Sequence, residues 1–345
     1  MPPQAGPQAR LIADRANGTL DFARCKGGSP YREGQMSRRR HAAYVAITLG
    51  ALMASSSPAG ADSGTGRVTH WAPSGIASDQ YESHPAFDPL TGDLYFVRST
   101  PQFRGWRILY SHCTPSGWSP PQDAPFAGDG VEADPWFSPD GRSVWFISNR
   151  TTDGVHREDL DIWRVERGAD GHWGQPVRLP SPINSMGYEW FPRLAPDGWL
   201  YFGSDRPGGF GKTDIWRARA DGQGGWTVEN AGPALNGPDD EYEALPSPDG
   251  QRLILMAENG AGDVRTLYES HKTDNGWSPR RALGPDVNAT GSEIGALFSP
   301  TGKTLMFARD LHGNESGEFF VWRGGLSAAS TAEEAWPAAC PAPQH

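Results

Sequence analysis

A short tight-turn element recurs five times along this chain at nearly even spacing, and it restricts the fold more than any other feature. It reads FDPLTG at Phe87–Gly92, FSPDG at Phe137–Gly141, LAPDG at Leu194–Gly198, PSPDG at Pro246–Gly250 and FSPTG at Phe298–Gly302. Proline presets φ, and the Asp-Gly or Thr-Gly end accepts the positive φ that a tight hairpin needs. A glutamate stands at a fixed distance before each turn, as Glu82, Glu132, Glu189, Glu241 and Glu293. A Tyr or Trp recurs downstream as Tyr110, Trp163, Trp216, Tyr268 and Trp322. The period is roughly 50 residues, that of one propeller blade.

The copy from Tyr188 to Trp226 parses into four strands. Trp190 to Leu194 is short and largely apolar, and Trp199 to Gly203 is aromatic. Asp214 to Arg219 alternates apolar with polar residues, the mark of a half-buried strand. Trp226 opens the fourth. One such sheet cannot bury both faces alone, so sister copies must stack. The fourth strands open with Trp118, Trp173, Trp226 and Trp277, and the fifth copy lacks an equivalent immediately after Trp322. His70-Trp71-Ala72-Pro73 precedes Glu82 and can supply it. The pattern predicts an all-β, five-bladed β-propeller of four-stranded antiparallel blades. The N-terminal segment closes it as the outer strand of the last blade, with Trp71 in the place of the other tryptophans. Trp336-Pro337 competes for that place, and a sixth blade gained by oligomerisation is the alternative architecture.

The S-P-D-G turn followed by a strand and then a D-I-W strand (Asp161-Ile162-Trp163, Asp214-Ile215-Trp216) resembles the WD40-like PD40 repeats of TolB-type β-propellers. The resemblance spans about Arg67 to Arg323 and implies the propeller fold with a protein partner at the funnel mouth. Propellers host unrelated activities, so function has to be argued from the site.

Outside the repeats, Met36 begins a segment with a basic run, Ser37-Arg38-Arg39-Arg40-His41, then an apolar stretch Ala42 to Ala54, then Ala59-Gly60-Ala61. This reads as a signal peptide over 36–61, with the Sec route preferred over twin-arginine export, and an exported chain starting at Asp62. Residues 1–35 lack periodicity and read as an upstream start-site artefact or a disordered segment. The propeller takes 62–323, and 324–345 reads as a loose tail. The apolar stretch is too short to span a bilayer. The formal net charge is −10, and more acidic still without the basic leader. That argues against nucleic acid or an anionic membrane surface as partner. It permits cations, a protein partner, or a small ligand or glycan at the channel mouth.

Three sets of residues could carry chemistry. The five repeat glutamates, if each begins an innermost strand, lie around one mouth of the channel. There they either hold a cation, a divalent ion being the one cofactor candidate, or lock adjacent blades through arginines. Arg150 and Arg206 follow the second strands of blades two and three, with Arg98 and Arg309 near them in blades one and five. Blade four has Glu258-Asn259 instead, so a gap in the lock is expected at Glu241, beside Asp239, Asp240 and Glu243. The repeat tryptophans read as core. No nucleophile elbow, zinc-ligand spacing or phosphate-binding glycine loop occurs. The expectation is therefore a non-catalytic binding scaffold, with a carbohydrate-active enzyme or a metal- or small-molecule-sensing propeller as alternatives. Once the leader with Cys25 is removed, Cys113 and Cys340 remain, a candidate disulfide in an oxidising compartment.

Overall fold

The computed structural model describes residues 66–102, 104–151, 157–258, 264–289, 292–310, 317–324 and 334–340. The predicted leader, Asn259, and most of the tail lie outside them. Five antiparallel sheets form the blades of a propeller. Their inner strands are Tyr81–Phe87, Glu132–Phe137, Glu189–Leu194, Glu241–Pro246 and Glu293–Phe298. The second strands are Leu94–Ser99, Ser143–Ser148, Leu200–Ser204, Arg252–Glu258 and Thr304–Asp310. Each is covered by a neighbouring blade on both faces, so these strands read as apolar runs and not as alternations. Phe96, Phe146, Phe202, Leu255 and Phe307 hold one register position in them and are all fully buried.

The recurrent turn is held by its own side chains. Ser138 Oγ donates to Asp140 Oδ1 (2.6 Å) and accepts from Ser143 N (2.9 Å), while Gly141 N donates to Ser138 O (2.8 Å) with φ at +67°. Ser247, Asp249 and Gly250 repeat the arrangement in blade four. The Ser138 hydroxyl also keeps the Asp140 carboxyl below its ordinary pKa range. The spacing of Ser, Asp and Gly is thus a hydrogen-bonding requirement of the turn itself.

The ring closes as expected from the N-terminus. Arg67–His70 pairs antiparallel with Gly317–Arg323, Val68 facing Trp322 and His70 facing Phe320. Trp71, however, is not in the place of the repeat tryptophans. Its N–H donates to Phe319 O (2.8 Å), the bond that Ala124, Leu179, Ala231 and Leu283 make at the far end of their outer strands. Trp226, by contrast, faces Ala220, and Trp277 faces Lys272. The third-strand aromatics also need adjustment. Trp163, Trp216 and Tyr268 share one register position, held by Leu109 in blade one and Phe320 in blade five, so Tyr110 and Trp322 lie off it.

Residues 334–340, read as loose, are pinned across the seam between blades five and one. Glu334 accepts from Ser299 Oγ (2.6 Å), Arg323 Nη2 donates to Trp336 O (2.8 Å), and the Trp336 ring lies 5.6 Å from that of Phe87. Cys340 is disulfide-bonded to Cys113, their Cα atoms 5.6 Å apart. A bridge over 227 positions of sequence restricts the unfolded chain strongly.

Candidate functional site

Four repeat glutamates open their inner strands, Glu82 follows Tyr81 in the other, and each is at most 3% exposed. Each is also ion-paired to an arginine. Arg98 Nε donates to Glu82 (2.7 Å), Arg309 Nε to Glu293 (2.9 Å) and Arg206 Nη2 to Glu189 (2.9 Å), and Arg150 pairs with Glu132. The carboxylates also accept N–H bonds from the residue four positions earlier, as from Gly128 (2.8 Å) and Gly237 (2.9 Å). The arginines reach on to carbonyls of the loop leading into the same blade, at Ile76, Phe126, Ile183, Leu235 and Val287. This is a five-fold lock on the inter-blade loops. Burial raises the pKa of all five carboxyls, to about 7 for Glu189 and Glu293, against the lowering pull of their arginines.

The expected gap at Glu241 is closed. Arg280, from the segment before the outer strand of blade four, places Nη1 2.6 Å from Glu241 Oε1. Arg98 and Arg309 lie on their second strands and Arg150 and Arg206 just after theirs, whereas Arg280 comes from beyond the third strand. Replacing Arg280 by Ala leaves a fully buried carboxylate unpaired and is expected to destabilise the fold by about 3 kcal/mol in denaturant titration. Glu241→Gln in the same chain should restore part of the loss; full stability of the single variant would show that Arg280 does not serve as the lock. The acids around Glu241 are not grouped with it to hold a metal ion. Asp240 is buried and pairs with Lys212 Nζ (3.2 Å), Asp239 is half-buried with its carbonyl accepting from Lys212 N (3.1 Å), and Glu243 lies two residues inward on the strand.

That inward position forms a second ring that the repeat pattern did not announce. Two residues after the glutamates stand His84, Asp134, Phe191, Glu243 and Gly295. His84 Nε2 is 3.2 Å from Asp134 Oδ1, and Asp134 Oδ2 accepts from Phe191 N (2.8 Å). Arg193 donates to Glu243 Oε1 through Nε (2.9 Å) and Nη2 (2.7 Å), and Glu243 Oε2 accepts from Ala296 N (3.2 Å). Gly295 completes the circle against His84. A Cβ there would lie 2.8 Å from His84 N, so blade five has room only for glycine. The contacts thus pass through all five blades around the axis.

Backbone strain gathers at the same place. His84, Asp134 and Phe191 are the positive-φ non-glycine residues among those described, at 52°, 58° and 47°. The strand pairing shifts register beside each of them. Proline follows in all three, as Pro85, Pro135 and Pro192, and this was the available signal for a break in the ladder. Burial raises the Asp134 carboxyl to about 7 and pushes the His84 imidazole well below its usual range. Arg193 is 2% exposed, His84 3% and Asp134 1%. The polar atoms of this ring face one another and not solvent. Among the described residues, no three His, Cys, Asp or Glu side chains are grouped to hold a metal ion.

The end of the propeller where the inner strands begin carries an aromatic floor. Tyr188 and Trp190 lie nearly parallel, with centroids 5.8 Å apart and an interplanar angle of 8°. Trp190 packs its edge against Trp106 (6.0 Å) and Tyr242 (6.3 Å). Trp190 and Tyr242 are buried, and Trp106 and Tyr188 are half-exposed. Trp190 and Tyr242 stand where the other inner strands have Ser83, Ala133 and Ile294. Trp106 accepts through its carbonyl from Glu132 N (3.0 Å), as Leu160 does from Glu189 N and Thr213 from Glu241 N. Its ring meets Trp190 of blade three, while blade two has the small Ala133 at the position of Trp190. On the same end Met186 is 97% exposed and Phe210 54%.

No family model and no curated protein matches the chain. Several solved structures share its propeller fold. One assigned to TolB from Agrobacterium tumefaciens is 16% identical with a TM-score of 0.44, over 68% of this chain and 71% of that one. XC5397, a gluconolactonase from Xanthomonas campestris, is 13% identical with a TM-score of 0.44, over 75% and 94%. Zg3597, a family 117 glycoside hydrolase from Zobellia galactanivorans, is 11% identical with a TM-score of 0.48, over 77% and 92%. At these identities the chain is similar to them in fold alone.

Proposed function

We propose that this chain is an exported, non-catalytic binding module whose binding face is the end where the inner strands begin. The observation that carries the reading is the loss of repeat symmetry at that end. Trp106, Trp190 and Tyr242 replace small, aliphatic or polar residues of the sister blades, and Met186 and Phe210 leave apolar surface in solvent. Repeat residues serve the fold in every copy, whereas residues that depart from the repeat are free to serve one ligand. The charged groups near the axis bond to one another below this surface, which favours binding over catalysis. Export is supported by the bonded Cys113 and Cys340, a pairing typical of oxidising compartments.

A thermal-shift screen against glycans, peptides and small molecules tests the reading. A ligand of this face raises the unfolding temperature by mass action, and the double variant Met186→Arg, Phe210→Arg abolishes the rise. Hits that keep their full shift in that variant would put binding on another surface. A broad panel without any hit would remove the support for a binding role.

A further inference from the structure

We infer that the ligand of this face is a carbohydrate, with a sugar ring lying against Trp106 and Tyr188; this rests on the binding face proposed above. Three observations lead to it. The first is shape. Tyr188 lies parallel to buried Trp190, and Trp106 makes an edge contact with the same ring. A sugar presents an apolar C–H face of matching size to such a platform. The second is rigidity. Trp190 is wedged between Trp106 and Tyr242, and Asp205 Oδ1 accepts from Tyr188 N (2.7 Å). The floor is therefore formed before the ligand arrives, which reduces the entropy lost on binding.

The third observation is the acceptor-rich rim. Exposed Asp79, Asp129, Glu158, Asp205 and Asp286 stand on the loops of this end together with exposed Arg104 and Lys212, the last paired with Asp240. An acidic ligand would meet this excess of carboxylates and be repelled. A neutral polyhydroxyl ligand uses donors and acceptors of both kinds, because each hydroxyl can donate and accept. The rim thus selects against an anion and offers acceptors to hydroxyls, while the floor selects for a flat apolar face.

The test titrates the protein with neutral oligosaccharides (gluco-, xylo-, arabino-, galacto- and chito-series) and with basic and acidic peptides, following tryptophan fluorescence. At least one saccharide series is expected to quench saturably. Trp106→Ala and Tyr188→Ala should each weaken it about tenfold or more, and Tyr188→Phe, which keeps the stacking ring, less than about threefold. Unfolding midpoints of the variants separate loss of binding from loss of fold, and Asp205→Asn, on an exposed side chain, gives a second readout of the floor. If a peptide binds through Trp106 and no saccharide does, the carbohydrate assignment falls and the binding face stands. If saccharide binding ignores Trp106 and Tyr188, or no probe binds, both fall.

Discussion

A chain beginning at Ala72 will lose the cooperative unfolding of one beginning at Asp62. The missing residues include the whole outer strand of blade five, which pairs Arg67 with Arg323, Val68 with Trp322, Thr69 with Val321 and His70 with Phe320. They also include Trp71, whose ring lies 6.0 Å from Phe319 and 6.3 Å from Trp118. Each ladder bond contributes about 1 kcal/mol net, and burying much of an indole about 2 kcal/mol. The expected loss is on the order of 5 kcal/mol, a large share of the roughly 5–15 kcal/mol typical of a domain. Truncation also opens the third strand of blade five as a sheet edge, so aggregation should accompany the loss. Urea titration by circular dichroism reads the change. An unchanged midpoint would mean that closure is held elsewhere, for example by the Cys113–Cys340 bridge, and reduction of that bridge would then expose the dependence.

The second large effect is expected on the propeller axis. Arg193→Met removes a cation that contacts both Glu243 and the Asp134 carbonyl, in a position 2% exposed. Breaking a buried pair from one side costs about 3–5 kcal/mol, because the remaining carboxylate stays desolvated and unpaired. Methionine keeps part of the stem packing, so the loss reports charge more than volume. Adding Glu243→Gln should recover a measurable share, and the double-mutant cycle should show coupling of about 1–3 kcal/mol. Arg193→Lys should not restore stability fully. A single ammonium cannot make both the Nε and Nη2 bonds to Glu243 or lie flat over Trp136, whose ring centre is 5.3 Å from the guanidinium carbon. Additive effects in the cycle would argue that the two residues act independently.

These predictions differ in how far they could be read without coordinates. Closure was legible because ring completion is a counting problem. Four copies carry their own fourth strand, and the N-terminal segment stands ready for the last. The register of that strand was not legible. A Trp before an acid looked like the other tryptophans, yet the strand pairs so that Trp71 lies at the opposite end. Side-chain type does not report position along a strand whose partner is some 250 residues away.

The glutamate–arginine lock was legible for the four blades that keep both partners at repeat spacing. In blade four the guanidinium comes from Arg280, and only the fold brings the segment before the outer strand beside Glu241. The axial ring was hidden for the opposite reason. Its members His84, Asp134, Phe191, Glu243 and Gly295 differ from blade to blade, so they form no motif. Their common trait is a left-handed backbone or a register shift, marked by Pro85, Pro135 and Pro192 in blades one to three alone, which a reading of side chains passes over.

By itself the sequence determined what each unit must do locally. The Ser-Pro-Asp-Gly hydrogen bonds shape the turn, the apolar second strands demand cover on both faces, and five unequal copies of one unit fold into five blades. Those consequences follow from short-range bonding and from burial, which act within a repeat or between identical neighbours. Only the tertiary structure decided which non-equivalent residues meet: Arg280 with Glu241, His84 with Asp134, Trp106 with Trp190, and residues 334–340 with blade one. Such pairs are brought together by the ring, and no local propensity or period encodes a contact between positions that do not repeat.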